Sequence, residues 1–111
     1  MKTHLDSKTG VLSVVLDGDL ISTTAEPLRP AINKLFEATS GKDAAWKLFR
    51  LDLSRAKMVD SVGLNFIVNV LKSVQQHGAK MQIVYANQNV HRTFLFTRLD
   101  KHLELLSSPV A

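Results

Sequence analysis

Met58-Val59-Asp60-Ser61-Val62-Gly63-Leu64 is where the chain changes its hydrophobic period, and the reading of that stretch decides the fold. Upstream, Trp46 to Leu53 is a near-continuous apolar run of strand length. Downstream, from Leu64, apolar residues recur at spacings of three and four. A buried strand therefore turns, through a short polar loop, into an amphipathic helix. Asp60 and Ser61 fall at the helix start, where a short side-chain oxygen accepts from the first free backbone N–H groups and acts as an ordinary N-cap. The same place suits a phosphoserine, because unpaired N–H groups and the positive end of the helix dipole both face it. Ser61 thus has two readings, a cap and a modifiable hydroxyl whose added charge acts outward on a partner.

The helix carries a second signal. Leu64, Ile67, Val68, Leu71 and Val74 share one face, which is the expected core stripe, and Gly78 closes the helix. Val62, Phe66 and Val70 lie on or near the opposite side, where a surface helix would carry polar residues. They are expected to be covered, either by another element of the chain or by a partner.

Working outward toward the N-terminus, His4 to Asp6 and Val11 to Leu16 flank the turn-rich Ser7-Lys8-Thr9-Gly10, which predicts an opening hairpin. Asp17-Gly18-Asp19 ends its second strand. Ser22, Thr23 and Thr24 then offer N-caps, Thr23 and Glu26 stand at capping-box spacing, and a helix follows with Leu28, Ile32, Leu35 and Phe36 inward. Pro27 and Pro30 are expected in or near its first turn, where proline is tolerated. Residues 38–45 read as a polar loop. Toward the C-terminus, Lys80 to Ala86 predicts a strand parallel to the preceding one through a right-handed βαβ unit. Asn87-Gln88-Asn89 gives a turn and cap, and Val90 to Leu99 a short helix through Val90, Phe94 and Leu95. Leu103 to Leu106 follows as a last strand, and a tail over 107–111 is expected to fray. The sum is one α/β domain over 1–111, a mixed sheet with helices packed mainly on one face. Asp17 to Ser22 and Asp60 to Gly63 are expected near one another at the C-terminal edge of the strands, where such sheets bind ligands.

At 111 residues the chain suffices for one core and one site. It has no cysteine, which excludes disulfides and thiolate chemistry. No apolar run reaches membrane-spanning length and the N-terminus lacks a signal-peptide core, so a cytoplasmic protein without membrane contact is expected. Fourteen basic against ten acidic residues give a net charge of +4, but these are scattered, with no stripe and no aromatic stacking platform. Nucleic acid is not the expected partner.

Catalytic motifs are missing. No phosphate-binding or dinucleotide glycine pattern occurs, and Val59-Asp60-Ser61-Val62-Gly63 is not a nucleophile elbow. His4, His77, His91 and His102 lack metal-site spacing and read as surface residues, His77 suiting a helix C-terminus. Asp17, Asp19 and Asp60 read as loop charges rather than a cation site. No enzyme activity, metal or cofactor is expected.

The order of these signals resembles a known family. Asp17-Gly18-Asp19-Leu20, Leu51-Asp52-Leu53-Ser54, Asp60-Ser61-Val62-Gly63-Leu64 and Leu99-Asp100-Lys101, in that order and spacing, are similar to the STAS domain of bacterial anti-sigma-factor antagonists. The resemblance implies a STAS-like fold and a partner-switching role. Ser61 would be phosphorylated by an anti-sigma factor that is also a serine kinase of the histidine-kinase-like ATPase superfamily, and dephosphorylated by a metal-dependent serine phosphatase. The unmodified chain, a monomer or weak dimer, would bind the kinase and free its other client. Asp60 and Gly63 would shape the turn, and Val62, Phe66, Asp19, Ile21 and Ser22 would join them in the partner-binding surface. The alternative is a constitutive scaffold or ligand-binding domain in which Ser61 is only a helix N-cap. Four positions depart from the family pattern: Val62 stands for Ser or Thr, Ile21 for an acid, Asn65 for Gly and Arg98 for Gly.

Overall fold

The computed structural model describes residues 1–39 and 46–108. The opening hairpin pairs β1 (Lys2–Asp6) with β2 (Val11–Val15) in antiparallel register, Lys2 opposite Val15 and Asp6 opposite Val11. Its turn is locked by Asp6, whose carboxylate accepts from the amides of Lys8 at 3.0 Å and Thr9 at 3.3 Å. Those backbone donors, Thr9 first, hold the Asp6 carboxyl below its ordinary range. Three crossovers follow, of the kind that is right-handed as a rule: β2 to β3 (Leu48–Leu53) through α1 (Ser22–Ala38), β3 to β4 (Lys80–Tyr85) through α2 (Ser61–Gln76), and β4 to β5 (Glu104–Ser107) through α3 (Gln88–Phe96) and a 3₁₀ turn, Leu99–Lys101. Strand order in the five-stranded sheet is β1-β2-β3-β4-β5, parallel from β2 onward. Because each crossover steps in the same direction, right-handedness sends all three helices to the same face.

Burial follows that arrangement. Leu12, Val14, Phe49, Leu51, Leu53, Met81 and Ile83 point toward the helices and are buried. Their alternates Ser13, Arg50, Gln82 and Glu104 are in register across four strands on the open face, where Arg50 Nε donates to Gln82 and the Gln82 amide donates to Glu104. This is the mixed, one-face-covered sheet that the sequence predicts.

Local differences have local causes. The strand expected from Trp46 begins at Leu48. Trp46 turns inward instead: its ring stacks on His77 at 4.0 Å and lies 5.5 Å from that of Phe36, while its Nε1 donates to Thr39 Oγ1 at 3.0 Å. His77 is therefore half-covered by an aromatic ring, and His91 stacks on Tyr85 in the same way at 4.3 Å. Pro27 and Pro30 are the sixth and ninth residues of α1, beyond its first turn. The carbonyls they deprive of donors, on Thr23 and Glu26, belong to exposed residues, so solvent can serve them. Leu95, expected inward, is exposed, whereas Val90 and Phe94 are buried. Ser107 is in β5 and the Ser108 amide donates to Tyr85 O at 2.7 Å. Most of the expected 38–45 loop, and positions 109–111, lie outside the described residues.

Of the two covers expected for the second apolar side of α2, the structure has the element of the same chain. Phe66 and Val70, expected opposite the core stripe, are 2% and 4% exposed. Helix α2 has two neighbours, with Ile67, Leu71 and Val74 turned to the sheet and Phe66 and Val70 turned to α1, so its buried arc is wider than that of a helix covered on one side.

Candidate functional site

Two loops meet at the C-terminal edge of the sheet, one leading from β2 into α1 and the other from β3 into α2. They are joined as a short parallel bridge between Leu20 and Val59: Leu20 N donates to Met58 O at 3.0 Å and Asp60 N to Leu20 O at 3.2 Å. Asp19 closes the same junction from the side, its Oδ1 accepting from the amides of Lys57 at 2.7 Å and Met58 at 3.2 Å. Asp19 O in turn accepts from Thr24 Oγ1 at 2.7 Å, and that hydroxyl accepts from the Ile21 amide at 2.9 Å. Thr24, rather than Thr23, thus serves the start of α1, with Ile21 as the capping position.

Asp60 ties the two helix starts together. Its Oδ1 accepts from Gly63 N at 2.8 Å, capping α2, while Oδ2 accepts from Ser22 N at 2.9 Å, the first amide of α1. One carboxylate therefore meets two orphan donors on two helices, each favourably placed at a positive dipole end. Asp60, not Ser61, is the N-cap of α2, so the reading of Ser61 as a cap is overturned. Gly63 is needed for a steric reason: a Cβ there would overlap the Leu20 carbonyl oxygen and lie 2.9 Å from the Leu20 carbonyl carbon. The absent side chain is what lets α2 approach the β2–α1 loop.

Ser61 is left as the first residue of α2, exposed, and among the described residues its hydroxyl has no hydrogen-bond partner. The amides of Ser61 and Val62 precede the first intrahelical acceptor, so donors lie beside that hydroxyl. Around it, Ser22 is exposed, Ile21 and Asp19 are half-buried, and Val62 is half-buried against the core. These residues, with Asp60 and Gly63, are brought to one edge as the sequence predicts. Phe66 is not among them, being sealed under α1. Met58, two residues before Asp60, is 57% exposed and supplies apolar surface that the sequence reading left without a role. A large apolar side chain in a short polar loop, between Lys57 and Asp60, was the available signal. Asp17 stands apart, pairing with Arg55 Nη1 at 3.4 Å and with the N-terminal amine at 3.3 Å.

No helix among the described residues is long and apolar enough to cross a membrane.

Comparison with known proteins agrees with this geometry. The STAS domain model matches residues 3–110. A Thermotoga maritima protein described as an anti-sigma factor antagonist is 37% identical over 59 residues, which cover 53% of this chain and 51% of that protein. The matched region thus spans about half the length of such relatives. A crystal structure of a Thermotoga maritima protein so described superposes with a TM-score of 0.76 at 23% identity, covering 98% of this chain and 86% of that one. The phosphorylated form of the Bacillus cell fate determinant SpoIIAA superposes with a TM-score of 0.67 at 14% identity, covering 98% and 93%. At these identities the structural likeness is one of fold, while the sequence match over 3–110 carries the assignment: the chain belongs to the STAS domain family.

Proposed function

We propose that this chain is a cytoplasmic partner-switching regulator of the anti-sigma-factor-antagonist type, bound in its unmodified form by an anti-sigma factor that is also a serine kinase and released when Ser61 is phosphorylated. A metal-dependent serine phosphatase would restore binding. The observation that carries this reading is the exposed, unpartnered Ser61 hydroxyl at the first position of α2, with its cap duty taken by Asp60. Membership of the STAS family and a relative described as an anti-sigma factor antagonist support it. The docking surface is the edge formed by Met58, Val62, Ile21 and Ser22 around Ser61, with Asp19, Asp60 and Gly63 setting its shape.

The switch works by charge rather than by refolding. A phosphate of about −1.5 to −2 charge on Ser61 sits beside the Asp60 carboxylate and in the middle of a small contact surface. Binding would then bury that charge against a partner shaped for a neutral hydroxyl, which costs both desolvation and repulsion. Amides at the helix start offset part of the charge inside the domain, so the fold survives the modification.

The test compares wild type, Ser61→Ala and Ser61→Asp as immobilised baits, with ADP or ATP and Mg²⁺ present, followed by titration of the retained ATPase. Wild type and Ser61→Ala should hold it, and Ser61→Asp should lose affinity by about a hundredfold. Because Ser61 caps nothing, Ser61→Ala should also shift the unfolding free energy by less than about 0.5 kcal/mol. Equal retention by all three baits would sink the proposal.

A further inference from the structure

Each segment that leads into a strand of the parallel part of the sheet carries an exposed lysine: Lys8 in the turn before β2, Lys47 just ahead of β3, Lys80 at the start of β4 and Lys101 in the 3₁₀ turn before β5. Parallel strands begin at one edge, so all four stand at the end of the sheet opposite the Ser61 turn. Backbone contacts join these segments in a row. The Lys47 amide donates to Gly10 O at 2.8 Å, the Lys80 amide to Lys47 O at 3.0 Å, and Lys80 and Lys101 line one cleft. With neighbouring strands about 4.8 Å apart, the row spans about 15 Å. Helix α3 runs back to the same end and finishes in Leu95 and Phe96, the latter 85% exposed, more than any other large apolar side chain described. Arg92 lies beside that pair and Arg98 follows it.

Among the described residues none of these four lysines and two arginines has an ion-pair partner. The carboxylates at this end are Glu37, Asp100, Glu104 and Asp6, the last engaged by the amides of its own turn. The Ser61 end holds Asp17, Asp19 and Asp60 beside Arg55 and Lys57, so positive charge is concentrated away from it. Arg98 adds an independent sign. Its φ of +58° is a conformation that glycine adopts at little cost, and an arginine kept there with its side chain in solvent gives up stability to hold a cation beside the apolar pair.

From the row of unpaired cations next to a projecting apolar pair we propose that this end docks on an anionic lipid surface, the lysines and arginines against headgroup phosphates and Leu95 and Phe96 in the interface. Clustered cations are drawn to the negative potential of such a surface, and apolar side chains buried at its boundary add an attraction that salt does not screen. Nucleic acid would use the same cations but leave Leu95 in water, since a leucine offers no face on which a base stacks. The contact needs no spanning helix. It turns the Ser61 edge away from the bilayer, and it is independent of the phosphorylation reading because it uses no residue of that edge.

The test is sedimentation of the full chain with vesicles of phosphatidylcholine alone and of equal phosphatidylcholine and phosphatidylglycerol, with a 20-base-pair DNA duplex as a competitor. Half of the chain should bind the mixed vesicles at or below about 1 mM lipid in about 50 mM salt, and phosphatidylcholine should bind at least about tenfold more weakly. Phe96→Ser should weaken binding by about fivefold or more, and Lys80→Gln combined with Lys101→Gln by about tenfold or more. Arg98→Gly should weaken it by about threefold while leaving the chain folded by circular dichroism. All these side chains are exposed, so loss of binding is separable from loss of fold. No binding to the mixed vesicles at about 5 mM lipid overturns the proposal. So do equal binding to both vesicle types, a Phe96→Ser chain that binds like wild type, and a duplex that strips the chain from the vesicles at equal phosphate, which would assign this end to nucleic acid.

Discussion

At the scale of single residues, two positions are fixed by backbone geometry, in opposite senses. Gly63 has room for a hydrogen and nothing more, because the Leu20 carbonyl occupies the space of any Cβ. Gly63→Ala should therefore force α2 away from the β2–α1 loop and cost about 3 kcal/mol in a urea unfolding titration. A cost under about 1 kcal/mol would mean the loop yields easily. Arg98 shows the reverse case. It has a φ of +58°, the one positive value outside glycine among the described residues, at the position where the family pattern has Gly. Its side chain is exposed, so the backbone strain has no visible compensation there. Arg98→Gly should raise stability by about 0.5–1 kcal/mol in the same titration, the relief of a left-handed L-residue less the added flexibility of glycine. An unchanged or lowered midpoint would show that the arginine makes good the strain through its side chain.

Between elements, the decisive interaction is the Asp60 carboxylate spanning the starts of α1 and α2. An ordinary cap loss costs about 1 kcal/mol, and Asp60→Ala removes the acceptor of two such donors at once, so about 2 kcal/mol is expected. Asp60→Asn, which keeps one acceptor oxygen, should fall between. If Asp60→Ala costs no more than Asp60→Asn, the single contact that Asn retains contributes nothing to stability. The cap of α2 was legible in the sequence, since the sequence reading placed Asp60 and Ser61 together at the helix start. Which of the two caps was not, because both side chains can reach the same amides. The second half of the carboxylate's work was beyond any local reading, because Ser22 lies 38 residues away and no spacing rule connects them. The same limit explains Phe66. Periodicity reports how apolar residues are arranged around a helix axis, but it does not report how many neighbours the helix has. Helix α1, the neighbour that covers Phe66, was itself legible through Leu28, Ile32, Leu35 and Phe36, but its spacing does not say that it packs on α2. By contrast, the hairpin at Ser7 to Gly10, the Asn87 cap and the strand after Gly78 rest on contacts within a few residues, and they were readable for that reason.

For the whole molecule, β3 is the mechanical centre, hydrogen-bonded on both sides to β2 and β4 and carrying fully buried Phe49, Leu51 and Leu53. Native-state hydrogen exchange should find the slowest amides in β3 and its two neighbours, and faster exchange in β1 and β5, each paired on one side only. Equal protection of Lys2–Asp6 and Leu48–Leu53 would contradict that ranking. The parallel order was legible because strands and helices alternate in the sequence, and right-handed crossovers leave few arrangements. The open face was less so, since Arg50, Gln82 and Glu104 align only once register is known.

The sheet's spatial order repeats its order along the chain, and that has a bearing on how the protein is made. Each new strand joins the free edge left by the one before it, so no strand must be threaded between two already in place. As the polypeptide leaves the ribosome, the hairpin can form first, and each βα unit can then dock on a template that already exists. The Ser61 turn is complete once α2 has emerged, because every amide that the Asp60 and Asp19 carboxylates hold lies at or before Gly63. The junction of the two loops is therefore made entirely of chain that precedes β4 in synthesis.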